Sequence, residues 1–424
     1  MLNTLAIIVV TALVTAFVCV VAINLVSVER RLQRRPRGLY ALHDADFRRS
    51  MGVLLGPAIL SGNEVVTLVN GVRIFPPLLA AIRAARHSVC FETFIYWSGS
   101  IGAEFAAALE EAARRGVKVH VLFDWVGTRR RDPRLLEQLK TAGVEVQLYH
   151  KLSWFHIGRM NNRTHRKILV VDGEIGFTGG AGIAPQWLGD AEDPAHWRDT
   201  HYQVRGPVVA QMQAVFMDNW IKATGRLLHG PVYFPPLESV GDMDAQMFGS
   251  SPSGGAESMQ LMFLLAIGAA RRSIDITSSY FVPDTMTISA LVAAAGRGVV
   301  VRLLLPGRYT DVPLVRRSSR GSWGRLLKAG VAVFEYQATM IHCKVAVIDG
   351  YWTTLGSANF DNRSFRLNDE ANLNVFSDAL AEEQSRQFDV DLLHSRRVTW
   401  RDWRRRPLAQ RLQEALLRLL RPQL

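Results

Sequence analysis

His165-x-Lys167-x4-Asp172 and His342-x-Lys344-x4-Asp349 are one signature written twice, 177 residues apart. Each continues in step: Gly179-Gly180 and Gly356-Ser357 begin seven residues after their Asp. A repeat kept in register through polar residues constrains the chain to two copies of one folding unit. Lys167-Ile-Leu-Val-Val-Asp172 and Lys344-Val-Ala-Val-Ile-Asp349 are apolar and β-branched, which predicts strands. Residues two apart on a strand share a face, so each His projects beside its Lys. Asp172-Gly173 and Asp349-Gly350 then predict tight hairpin turns.

Two histidines and two lysines at one site are what a two-step attack on a phosphodiester needs. One neutral imidazole attacks phosphorus and forms a phosphohistidine. The other, protonated, donates to the leaving oxygen and then serves as base for the second step. A free His titrates near ~6.5, so small shifts give the pair opposite protonation states at neutral pH. The lysines supply counter-charge, so neither metal nor cofactor is expected. The sequence has no His/Cys cluster with zinc spacing and no acidic metal cage. A catalytic His is commonly oriented by a carboxylate. Asp199 and Glu370 precede comparable strand-like runs. Proximity along the chain assigns Asp199 to His165 and Glu370 to His342; ordinary strand-edge charges are the alternative.

The duplication extends beyond the motifs. Leu79–His87 matches Leu264–Arg272. Each is followed by a strand (Ser88–Tyr96, Ser273–Phe281), a helix (Ile101–Arg115, Thr287–Arg297) and two more strands (Val117–Asp124 and Val144–Tyr149; Val299–Pro306 and Val331–Tyr336). The motif strand closes each set. Strands alternating with helices predict an α/β unit with a mostly parallel sheet flanked by helices. Two such units facing each other would bring the His-Lys pairs to one cleft. A Pro-, Gly- and Ser-rich stretch near Pro231–Gly255 marks the junction.

These residues resemble the phospholipase D superfamily, marked by a double HxKx4D followed by GGxN or GSxN, over roughly Gly71 to His394. Phe94-Ile-Tyr-Trp97, Trp197-Arg-Asp-Thr200, Ser279-Tyr-Phe-Val-Pro283 and Ser364-Phe-Arg-Leu-Asn-Asp-Glu370 are similar to its bacterial cardiolipin synthase branch. The resemblance implies two tandem phospholipase D-like repeats. It also implies His165 as nucleophile, His342 as acid, Lys167, Lys344 and Asn359 on phosphate, and largely structural roles for Asp172 and Asp349. The implied reaction moves a phosphatidyl group from one phosphatidylglycerol to an alcohol of a second, releasing glycerol. Hydrolysis by the same site is an alternative, because the motif does not distinguish water from a lipid alcohol. A nuclease and a non-catalytic scaffold are further alternatives. One departure stands out: the first repeat reads Gly179-Gly180-Ala181-Gly182, where the family has Asn at the fourth place. If an amide is simply missing, restoring it should speed the reaction; if glycine is needed for space or positive φ, restoring it should harm.

Leu5–Ile23 is uncharged, and at ~1.5 Å per residue such a helix matches the ~30 Å hydrocarbon core. No Lys or Arg precedes it, unlike a secretory signal, and five arginines lie within 30–37. This predicts a single-pass anchor in a bacterial cell (inner) membrane with the remainder cytoplasmic. The formal net charge is +12. Residues 29–37 contribute +4 and 396–424 contribute +7, so the body is near neutral. An anionic membrane surface is therefore the expected partner, not nucleic acid. Leu408, Leu412, Ala415, Leu416, Leu419 and Leu420 share one helical face, with Gln410, Glu414 and Arg418 opposite. The pattern fits an interfacial helix or one docked on the body. Cys343 lies between His342 and Lys344 and should face away from them, as packing. Trp154-Phe155-His156 and Arg308–Arg325 are candidate lipid-entrance loops. The expected divisions are an anchor (1–28), a basic juxtamembrane linker (29–69), a first catalytic domain (70–235), a linker (236–255), a second domain (256–395) and a basic amphipathic segment (396–424).

Overall fold

The protein was analysed as a computed structural model, which describes residues 2–25, 36, 40–151, 162–252 and 257–417. The first half contributes strands β1 (Leu60–Val69), β2 (Ser88–Thr93), β3 (Lys118–Asp124), β4 (Glu145–Tyr149), β5 (Arg163–Thr164), β6 (Ile168–Val171), β7 (Ile175–Gly179) and β8 (Thr200–Arg205). The second contributes β9 (Met243–Ser250), β10 (Ser273–Ser278), β11 (Phe281–Val282), β12 (Val300–Pro306), β13 (Ala332–Tyr336), β14 (Lys344–Ile348), β15 (Trp352–Gly356), β16 (Phe360–Asp361), β17 (Asn368–Phe376) and β18 (Ser395–Val398). Except for the β11–β16 pair, these form one 16-stranded sheet in the order β18-β13-β12-β10-β14-β15-β17-β9-β1-β8-β7-β6-β2-β3-β4, with β5 on β17.

The sheet is mixed and mostly antiparallel, which corrects the mostly parallel expectation. Parallel pairing holds where a helix crosses over, as in β2–β3–β4 and β10–β12–β13. The motif strands instead run antiparallel to β2 and β10 and then turn back on themselves. The cause is the Asp-Gly pair. Asp172 and Gly173 sit at φ 53° and 69°, Asp349 and Gly350 at 55° and 62°. Glu174 N–H donates to Val171 O and Tyr351 N–H to Ile348 O. Positive φ at both central positions is a type I′ turn, whose twist suits a hairpin.

The halves share the sheet through β9, which pairs with β1 on one side and β17 on the other. Part of the 236–255 segment expected as a linker is thus a central strand. The 29–69 segment likewise contains a helix (Ala45–Leu55) and β1. Helices cover both faces. Helices 70–84 and 100–114 bury Phe75, Leu79 and Phe105 against Phe91 and Phe123. Helix 257–269 buries Phe263 and Ile267 among Ile274 and Leu303 in the second half. Helix 209–224 packs Met212, Phe216 and Trp220 over the opposite face.

Trp154, Phe155 and His156 lie outside the described residues, as do Arg30–Arg35, Arg37, Arg418, Leu419 and Leu420. The segment 308–325 is largely two short helices, Pro313–Arg320 and the start of Trp323–Lys328. Residues Leu2–Leu25 form a helix whose side chains are described over 4–15 and at Cys19. Among the described residues, no helix is long and apolar enough to cross a membrane.

Candidate active site

The four motif side chains are buried at the centre of the sheet: His165 is 7% exposed, His342 5%, and Lys167 and Lys344 3% each. The backbone sets their approach. His165 N–H donates to Asp369 O (2.8 Å), the carbonyl just before Glu370. His342 N–H donates to Arg198 O (2.7 Å), the carbonyl just before Asp199. Each histidine is therefore held by the carboxylate segment of the other half.

The side chains follow. His165 Nδ1 lies 3.0 Å from Glu370 Oε2, and His342 Nδ1 lies 2.8 Å from Asp199 Oδ2. This corrects the pairing inferred from chain proximity: Glu370 serves His165, and Asp199 serves His342. The reason is the crossed backbone bonds, reinforced by parallel pairing of β5 with β17 and the Arg198–Ile341 bridge. Burial alone would raise both carboxyls. Their histidine partners and nearby lysines outweigh it and hold both below the ordinary value. Each ionised carboxylate accepts, so each Nδ1 must donate, leaving Nε2 as the functional nitrogen.

Each carboxylate also has a neutral donor. Ser357 Oγ donates to Glu370 Oε2 (2.5 Å), and Trp187 Nε1 donates to Asp199 Oδ2 (2.8 Å). The sequence reading missed both roles. Ser357 could have been found from its place in the repeat. Trp187 could not, because no counterpart marks it in the second motif. Trp187 and Trp197 pack on each other, 4.6 Å between centroids, and both lie against the His342 ring, at 5.2 and 5.4 Å.

Electrostatics tie the halves together. Burial lowers Lys167 to about 7, with Lys344 adding to the effect. Burial lowers Lys344 as well. Burial takes His165 down to about 4, against the pull of Glu370. His342 is lowered first by burial and then by Lys344, with Asp199 opposing. Both lysines lower both histidines, and Lys344 lowers Lys167, so the positive charge of the two halves converges on the two imidazoles.

The lysines have different neighbours. Lys344 Nζ donates to Ser279 Oγ (2.8 Å) and to His342 O (2.6 Å). Lys167 Nζ donates to His165 O (2.8 Å) and lies 5.7 Å from the Phe94 ring centroid. Asn359 is 3% exposed, and its Oδ1 has no hydrogen-bond partner. At Gly182 an added Cβ would lie 2.8 Å from Ile95 Cβ and 3.2 Å from Trp187 Cζ3. Space therefore explains this glycine.

Asp172 and Asp349 face away from this chemistry. Asp172 accepts from the backbone N–H groups of Arg86, His87 (2.7 Å) and Ser88 (2.9 Å). Asp349 does the same for Arg271 (2.8 Å), Arg272 (2.7 Å) and Ser273 (2.9 Å). Both pin the start of the strand beside the motif, so they touch no reacting group. Cys343 is buried, and burial pushes its thiol up to about 12, consistent with packing. Glu192, Asp193 and His196 form an acidic group at the surface whose ligand atoms lie within 4.8 Å of one another.

The family model for the cardiolipin synthase, PLD-like domain matches residues 78–220 and 263–392. The chain belongs to this family. It is 37% identical to cardiolipin synthase A of Pseudomonas fluorescens SBW25 over 396 residues, covering 93% of this chain and 81% of that one. It is 35% identical to the cardiolipin synthase of Geobacillus kaustophilus HTA426 over 363 residues, covering 85% and 72%. The fold is similar to that of phosphatidylserine synthase from Haemophilus influenzae Rd KW20, with a TM-score of 0.68 at 14% identity, covering 89% of this chain and all of that one. It also resembles polyphosphate kinase from Porphyromonas gingivalis, with a TM-score of 0.55 at 13% identity over 92% of this chain and 56% of that one. Within the cardiolipin synthase family, the crossed carboxylates describe how this chain's two PLD-like halves meet.

Proposed function

We propose that this protein makes cardiolipin by moving a phosphatidyl group between two phosphatidylglycerol molecules through His165. The observation that carries the reading is the crossed pair of His–carboxylate contacts between two buried lysines. His165 is neutral above about 4, with Nδ1 donated to Glu370 and Nε2 free to attack phosphorus. The P–O bond to the headgroup glycerol breaks as the N–P bond forms. His342 donates its Nε2 proton to that glycerol. A bound phosphodiester offsets the lysines that depress His342, so substrate favours the protonated form the step needs. Lys167, Lys344 and Asn359 hold the phosphate oxygens. In the second step His342 takes a proton from the acceptor's glycerol hydroxyl. That oxygen attacks phosphorus and His165 leaves. The residues that carry the two steps need no metal or cofactor.

The lipid substrate places the protein at a bacterial cell membrane. The N-terminal helix supports a single-pass anchor in 1–28: Leu5, Ile8, Leu13 and Val14 are each at least 55% exposed, around the whole helix circumference. A helix that is apolar all round fits a lipid surrounding. Arginines at 30–37 put the catalytic body, 70–235 with 256–395, on the cytoplasmic side. Product analysis by mass spectrometry, with purified protein and phosphatidylglycerol vesicles, tests the reading. Cardiolipin with equimolar glycerol is expected. Phosphatidic acid without cardiolipin would replace transfer by hydrolysis.

A further inference from the structure

The C-terminal helix Leu408–Leu417 is mounted on the body with its polarity reversed. Glu414, on its polar side, is 2% exposed and pairs with Arg406, itself 9% exposed. Arg406 in turn lies 3.9 Å from the Trp403 ring centroid and donates to Trp403 O (2.7 Å) and Arg320 O (3.2 Å). Trp403 Nε1 donates to the same Arg320 carbonyl (2.8 Å), and its ring packs on Gly324. Glu414 is thus held against the body. The apolar side of the helix faces out: Leu408 is 77% exposed and Leu412 67%, with Ala415 beside them. A soluble helix buries the opposite face. Turning this one over would break the Glu414–Arg406 pair, and breaking a buried ion pair is strongly destabilising.

We propose that this face inserts into the headgroup boundary of an anionic lipid surface and seats the enzyme against it. Charge selects the occupant. Residues 396–424 carry nine Arg against one Asp and one Glu, and Arg401, Arg404, Arg405 and Arg411 of that segment are exposed. Stacked Trp400 and Trp403, 5.0 Å apart, lie at the same end. Exposed leucines in an arginine-rich segment are the chemistry of an interfacial helix on acidic lipid. The proposal rests on the reading of a lipid substrate, but it is tested without turnover.

The test uses the full chain carrying Leu412→Cys with a fluorescent label, in a Cys19→Ser background. The buried Cys90 and Cys343, with thiols pushed up to about 12, should stay unlabelled. Reconstituted into vesicles with spin-labelled lipid, the dye should be quenched several-fold more strongly with phosphatidylglycerol than with phosphatidylcholine alone. No quenching in either would overturn the proposal, as would equal quenching in both. Self-quenching between labelled copies without lipid quenching would assign the face to a second copy and overturn it too. Loss of catalytic activity with quenching intact would instead count against the proposed reaction.

Discussion

The sharpest test concerns Gly182. A missing amide donor predicts that Gly182→Asn increases turnover. The structure predicts the opposite. The new Cβ would meet Ile95 Cβ at 2.8 Å, an atom fixed to its backbone. That backbone is itself held: Ile183 N–H donates to Ile95 O (3.0 Å), and Trp97 N–H donates to Ile183 O (2.8 Å). The other neighbour is Trp187, whose Nε1 orients Asp199 and through it His342. Overpacking of this kind costs ~1–3 kcal/mol. A hydrogen bond to a charged group is worth ~1.5–3 kcal/mol, and ~1.4 kcal/mol is tenfold in rate. If relief of the clash moves the indole, we predict that Gly182→Asn lowers kcat by roughly 10- to 100-fold and also lowers Tm. Trp187→Phe keeps a ring but removes the N–H, so it should reproduce most of the kcat loss with less effect on Tm. Steady-state kinetics on phosphatidylglycerol vesicles and thermal melts of the three proteins provide the comparison. A Gly182→Asn variant with higher kcat/KM and an unchanged Tm would refute the reasoning.

The crossed carboxylates predict separable defects. Glu370→Gln should slow phosphohistidine formation by ~10²–10⁴-fold with any donor, whereas Asp199→Asn should recover with a donor whose leaving group needs no proton, such as a p-nitrophenyl ester. Equal recovery of both variants would contradict the pairing. His342→Ala should accumulate adduct on His165, and His165→Ala should form none; a mass shift mapped to His342 in the unaltered protein would reverse the roles. Lys167, lowered to about 7 by burial, predicts that kcat/KM falls as pH rises through that value. The matching limb in kcat should lie higher, because bound phosphate favours the charged lysine, and coincident limbs would argue against Lys167 on phosphate. Acid stability follows from His165: its folded value of about 4 lies below the unfolded ~6.5, so this contribution is full above 6.5 and is lost as pH falls towards 4. A His165→Gln variant should flatten that part of the stability profile.

Local chemistry made much of this legible in the sequence. Alternation and β-branching located the motif strands, and Asp-Gly located both hairpins to the residue. The antiparallel direction was the information those hairpins already held. A strand that ends in a type I′ turn must pair with the strand that follows it, so the motif strands could not all run parallel. Asp199 and Glu370 were recognisable as carboxylates at equivalent places, but not their partners. A repeat unit looks self-sufficient in sequence, and nearest-along-the-chain is then the natural assignment. The exchange comes from β9 and β17 joining the halves edge to edge, which sets the two carboxylate segments across the centre.

That exchange also explains how a duplicated site can be chemically unequal. Each half gives its histidine to a carboxylate that the other half supplies, so each reacting pair samples both repeats. Glu370 answers to Ser357 and Asp199 to Trp187. Lys344 is held by Ser279, while Lys167 lies over Phe94. The first repeat has traded small polar groups for rings, and Gly182 is what makes room for one of them. The indole is at once the packing wall of His342 and the donor that fixes its carboxylate. The acid therefore packs against a pair of tryptophans, while the nucleophile's carboxylate takes a hydroxyl donor instead. A two-step transfer needs one imidazole that stays neutral and one that takes up and returns a proton. Two identical half-sites could not distinguish them; one substituted repeat, coupled through crossed carboxylates, can.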